Sequence, residues 1–342
     1  VSIGPDEDRV VNALEHLEAD CTVALHWAID EKRWDDAYAL VHFGPPLALF
    51  CPRHHLVDLL AKAARKAEPA PAYLPYLELW LDELDIPTVE CNRRAWDLWD
   101  SGWQPPTDRV SGTPLESIGG DVSTGLRPEQ LLAALDRIDT APFPTRVMAH
   151  YMVLADLAGT VPTIGQQGLD NFATMVATSG STTARGLNHG LLGQYASIRG
   201  DWNAAFHHFT EAVRDGENAQ GYLLGVRTNW FRIAAATMAG EHVGNPELAH
   251  AWRLAQAIRT PPLWGACVTA LVLQRQERHE LARDFRQWLA NNDPGGITDV
   301  FIGRLPGAAF VAEPPNTELI DLPELVDELL YATDRSGDPA RT

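Results

Sequence analysis

The chain has 342 residues, 45% of them hydrophobic, and a formal net charge of −19. That apolar content supports a sizeable core and excludes global disorder. The acidic surplus argues against direct binding of nucleic acid or an anionic membrane, because phosphate binding needs a concentrated positive surface.

From the N-terminus, the helical period dominates. Over residues 9–30, Val10, Val11, Leu14, Leu17, Cys21, Leu25 and Ala28 recur at three- and four-residue steps and form one apolar face. Residues 35–50 and 53–67 read likewise. The second of these spans ends in lysine and arginine, which suit the negative end of a helix dipole, before Pro69 and Pro71. Spans 72–84 and 88–101 read as another helix pair, broken by Pro87 and closed by Gly102. Residues 104–125 are rich in Pro, Gly and Ser and read as a long connection. Helices resume at Arg127-Pro128-Glu129, with proline where a first helical turn tolerates it, and continue to about Asn291. The best strand candidate, 298–303, is short and isolated. The tail carries one more predicted helix near 322–332 and a polar end expected to fray. The organisation expected is therefore N-terminal helical repeats over 1–103, a connection over 104–125, helix pairs over 126–292 and an irregular tail over 293–342.

Self-similarity appears in the third of these regions. "YMVLADLAG" ends at Gly159, "LGQYASIRG" at Gly200 and "IAAATMAG" at Gly240, and "ALVLQRQE" reaches the equivalent turn near Glu277. Second helices follow the last three: "WNAAFHHFTEAVR", "PELAHAWRLAQAI" and "HELARDFRQWLAN". The stretch after Gly159 reads as looser, with Gly165 and Gly168 before "LDNFATMVATSG". A single helix pair cannot bury its whole apolar face, but stacked pairs can. The expectation is an all-α solenoid of stacked antiparallel helix pairs.

The unit from Gly186 to Asp215 resembles a tetratricopeptide repeat. It has Leu192-Gly193 at the close helix crossing, Gly200 and Trp202 at the turn, and Ala205, Phe209 and Ala212 on the second helix. It departs at Tyr195, one residue early, and at Glu217, where a proline is usual. Trp34 and Ala37 repeat the turn near the N-terminus, and Ala282, Leu289 and Pro294 repeat parts of the second helix. Residues 9–67 also resemble the start of the helical-repeat region in large bacterial STAND-class regulators, through Ala24, Leu25, Trp27 and Ala28. Asp20, Cys21 and Thr22 depart from the Asn-Leu-Arg of that pattern. The resemblance implies a sensor or protein-binding region that regulates a transcription-regulator or nucleotide-cyclase chain and is separated from its nucleotide-binding module.

Motifs for catalysis are sparse. None of the three lysines, Lys32, Lys62 and Lys66, follows a glycine, so the chain lacks a phosphate-cradling P-loop. It has no HExxH, GxSxG or GxGxxG. Cys51, His54 and His55, with Cys91 or His42, form the one metal-site alternative, but adjacent histidines on a helix point about 100° apart. His207 and His208 are read as passengers beside the packing stripe of Ala205, Phe206, Phe209 and Ala212, with His207 toward a groove or solvent.

Among the eleven tryptophans, Trp34 and Trp202 sit at repeat turns, and Trp27, Trp252 and Trp288 at packing spacings. Arginine mixed with aromatics, as in 92–103 and 227–232, is the composition of interfaces. Gln194, Arg227, Trp230 and Arg232 are the binding residues expected on the first helices. No cofactor is expected, and the partner expected is a protein or a small effector. An oligomerisation scaffold is the second reading, and a helical metalloenzyme the third. Four widely spaced cysteines and the absence of a signal sequence point to the cytoplasm.

Overall fold

A computed structural model describes residues 7–42, 54–75, 77–78, 143–160, 162–218, 222–257, 262–292 and 321–336. Among these residues there are twelve helices and no strand, so the described chain is all-α. They are α1 (Glu7–Asp30), α2 (Trp34–His42), α3 (His54–Ala64), α4 (Phe143–Thr160), α5 (Pro162–Ala177) and α6 (Thr182–Ile198). There follow α7 (Trp202–Asn218), α8 (Tyr222–Ala239), α9 (Asn245–Ala257), α10 (Pro262–Arg275), α11 (His279–Asn292) and α12 (Leu322–Ser336). The helix expected over 88–101, most of that over 72–84, the connection over 104–125, the helix start at Arg127 and the strand candidate lie outside the described residues.

Four turns share one construction. A single residue takes a left-handed φ: Lys32 at 57°, Gly200 at 75°, Gly240 at 87° and Glu277 at 61°. The next residue's N–H donates to a carbonyl five positions back: Arg33 to Ala28 (2.8 Å), Asp201 to Ala196 (3.0 Å), Glu241 to Ala236 (2.9 Å) and Arg278 to Leu273 (2.9 Å). This closure satisfies carbonyls that a helix end leaves unpaired. After Lys32, Gly200 and Glu277 the next helix starts two residues later. Each of these second helices then buries an alanine completely at the same step: Ala37, Ala205 and Ala282. The turn expected near Glu277 is therefore present. The helix end expected at Gly159 falls one residue on, at Thr160. The looseness expected at Gly165 and Gly168 is corrected, since both lie inside α5.

Within 143–292 the helices pack in a regular order. First helices α4, α6, α8 and α10 touch in succession, and α5, α7 and α9 each touch the first helix that follows. The largest core cluster runs from Ala196 through α7–α11 and takes in Leu322, Leu325, Val326 and Leu329 of α12. The tail helix thus docks against α9 and α11 through one apolar face. Near the N-terminus, Leu25, Ala28, Ala37, Tyr38, Leu56, Leu60 and Tyr73 form a cluster of their own. Trp34 packs against that cluster, and Trp202 against the larger one. Trp252 is buried and Trp288 half-buried, whereas Trp27, expected to pack, is 50% exposed with the Arg33 guanidinium 4.9 Å from its ring centre.

The α6–α7 crossing depends on Gly193. A Cβ at this position would lie 2.6–2.9 Å from three atoms of the Phe209 ring. That ring is buried and held edge-to-face against Phe231, so it has little room to yield. On the same helix, a Cβ at Gly190 meets nothing within 4 Å. Overpacking costs about 1–3 kcal/mol, while replacing a helical glycine by alanine gains up to about 1 kcal/mol. Gly193→Ala is therefore expected to lower the urea midpoint and Gly190→Ala to raise it. Paired equilibrium denaturation curves check the opposite signs.

Candidate functional site

The expected binding residues separate into different environments. Gln194 is half-buried on α6. Trp230 is 2% exposed and packs edge-to-face on Trp252, with ring centres 5.3 Å apart. Its place in a surface binding set is thus corrected: its ring fills the space beside Gly265 of α10, where a Cβ would lie 3.0 Å from it. Arg232 is half-buried, donates to Asn229 Oδ1 at 3.0 Å and forms an ion pair with Glu247 at the start of α9. That arginine ties one pair of helices together.

Arg227 is different. It is exposed, and its guanidinium carbon lies 5.5 Å from the Phe231 ring centre and 5.3 Å from that of Trp264. The two rings meet edge-to-face at 5.2 Å. One helical turn separates Arg227 from Phe231 on α8, and Trp264 comes from the first turn of α10. Both distances lie within cation–π range. Exposed Arg227 and half-exposed Trp264 form a platform across two successive first helices, backed by buried Phe231. The stretch Arg227–Arg232 is thus part surface and part core; the stretch 92–103 lies outside the described residues.

A second polar group lies on the seam between α6 and α7. His208 Nδ1 is 3.3 Å from Nδ1 of His189, and both side chains are half-buried. His207 is exposed, as expected, and its ring centre is 5.4 Å from that of His208. Burial pushes both His189 and His208 below the ordinary histidine value; nearby His207 and Arg185 add to the effect at His189, and His189, His207 and Arg199 at His208. Asp215 and Glu211 oppose it at His189, and Asp201 at His208. One turn before His189, Arg185 grips buried Asp215 with two bonds of 2.8 Å. Sequence reading singled out His208 and missed His189, since a contact 19 residues away leaves no local pattern.

Further along, the Tyr195 hydroxyl donates to the Leu154 carbonyl at 2.9 Å, and its ring fills the gap beside Gly165. Burial raises the Tyr195 pKa. The aromatic residue one place early on the first helix therefore joins α6 to α4 and α5.

No group of three or more His, Cys, Asp or Glu converges on a common metal position among the described residues. His54 and His55 open α3, but Cys51 and Cys91 lie outside the described residues, as do the side chains of His42, His54 and His55. No described helix is long and apolar enough to cross a membrane. Compared with family models, curated proteins and solved structures, the chain matches none.

The two arginines of α8 should respond differently to truncation. Arg232→Ala removes a half-buried ion pair and a second hydrogen bond and is expected to cost about 1–3 kcal/mol. Arg227→Ala loses an exposed cation–π contact worth about 0.5–1 kcal/mol. Urea unfolding of the two variants checks the order.

Proposed function

We propose that this chain is a non-enzymatic α-solenoid of tetratricopeptide-like helix pairs that binds a protein or a small effector and regulates a larger signalling or transcription-regulator chain. The observation that carries the reading is the succession of first helices α4, α6, α8 and α10, each in contact with the next. An array of this kind presents one continuous face built from equivalent positions of successive pairs. Arg227 and Trp264 lie on consecutive members of the array and share an exposed platform. Arginine and aromatic residues are enriched among the anchors of binding interfaces. The shared turns at Lys32, Gly200, Gly240 and Glu277 support a repeated unit in which two residues without a glycine's freedom have kept its backbone conformation.

The second reading, an oligomerisation scaffold, draws on the same exposed face. Light scattering across a concentration range separates the two: the binding region stays at the mass of one chain, whereas a scaffold gains mass as concentration rises. Cross-linking of tagged wild-type and Arg227→Glu chains expressed in the source organism tests the platform. Partners seen with the wild type should fall at least about tenfold with the reversed charge, given that anchor residues contribute about 2 kcal/mol or more. Equal recovery from both chains removes the platform from the binding face.

A further inference from the structure

We propose that the His189–His208 contact is a proton-operated latch: uncharged, the two rings hold α6 against α7, and charging both opens that seam. The inference stands on the contact itself and is independent of the proposed function.

The geometry allows one hydrogen between the two facing nitrogens. With both rings neutral, Nδ1–H of one donates to Nδ1 of the other across 3.3 Å. A first added proton is tolerated, because a charged ring still donates through Nδ1 to its neutral neighbour. A second proton puts N–H against N–H at the same separation, with two positive charges on adjoining rings whose centres are 5.6 Å apart. No acceptor then lies between them.

The surroundings set the direction of the response. From α6, Arg185 faces His189; from α7, His207, Glu211 and Asp215 do; Arg199 and Asp201, from the turn, act on His208. Asp215 is already committed to Arg185 through both carboxylate oxygens. Glu211 forms an ion pair with Arg214. The acids beside His189 are thus engaged elsewhere.

The linkage follows. The ordinary histidine value is 6.5, and both folded values lie below it, chiefly because of burial. In that interval the unfolded or opened chain binds more protons than the folded one. Stability from the latch is complete above 6.5 and is lost as pH falls through the lowered folded values. Because the two rings join only α6 and α7, the loss should be concentrated in that pair.

Hydrogen exchange read by mass spectrometry on the purified chain, corrected for intrinsic pH dependence, tests this. Between about pH 7.5 and about pH 5.5, amide protection over α6 and α7 should fall more than over α10 and α11, by up to roughly tenfold for each histidine whose folded value lies below 6.5. His189→Gln and His208→Gln each keep a hydrogen-bonding side chain but cannot titrate. Either variant should abolish the excess loss. An equal loss over both helix pairs, or an excess that survives in both variants, overturns the latch. Should the variants fail to fold, histidine proton resonances of the wild-type chain decide. Two or more midpoints below 6.5 among the resonances support the proposal, and fewer than two sink the idea.

Discussion

Large aromatic rings sit where a facing helix has a glycine, and the spacing of the helices in 143–292 depends on it. Phe209 of α7 lies against Gly193 of α6, Tyr195 of α6 against Gly165 of α5, and Trp252 and Trp230 against Gly265 of α10. In each case a Cβ on the glycine would fall within 3.0 Å of ring atoms or closer. Dispersion weakens steeply with separation, so a ring lying directly on backbone gains contacts that a Cβ would push apart. The first of these contacts holds a pair together, and the other two link one pair to its neighbours. A single device thus serves contacts between α6 and α7 and contacts of α5 with α6 and of α10 with α8 and α9.

Much of this order was legible because it is local. Apolar residues at three- and four-residue steps mark helices, and Leu192-Gly193, Gly200, Trp202 and Ala205 mark a turn and the crossing behind it. Ala205 is fully buried, and so are Ala37 and Ala282 at the same step of other second helices. Misreadings came where a residue type has two uses. Gly165 and Gly168 suggest a loop by composition, but inside α5 they make room for Tyr195 and Leu154. Lys32 and Glu277 give the opposite case: their backbone adopts the turn conformation without the residue that signals it. The predicted tail helix was found in α12, yet its docking on α9 and α11 could not be read, because nothing in 322–332 specifies a partner.

The site was less legible than the fold. A mix of arginine and aromatics in 227–232 pointed to a surface, but burial sorts those residues individually. Trp230 and Phe231 are core, Arg232 is spent on Glu247, and only Arg227 is exposed. Helical periodicity could have excluded Trp230, which lies one turn before buried Ala234. It could not have supplied Trp264, which arrives from the next pair, or His189, which arrives from the preceding helix. Contacts between helices carry the chemistry here, and a single helix shows half of each.

The α6–α7 seam is chemically graded along its length. At the open end of the hairpin Arg185 holds Asp215, then His189 meets His208, and further on the backbone at Gly193 meets Phe209. The first two rungs are polar, and burial lowers the values of both histidines; the crossing of Gly193 and Phe209 is apolar. Asp215 is 1% exposed while Arg185 is 51% exposed, so the carboxylate depends on its partner far more than the guanidinium does. Charging the histidines adds positive charge beside Arg185 and competes for the same carboxylate. The two polar rungs are thus coupled, and both lie on the turn-distal side of the apolar crossing of Gly193 and Phe209. A seam built this way can loosen at its open end while the hairpin remains closed at Gly200.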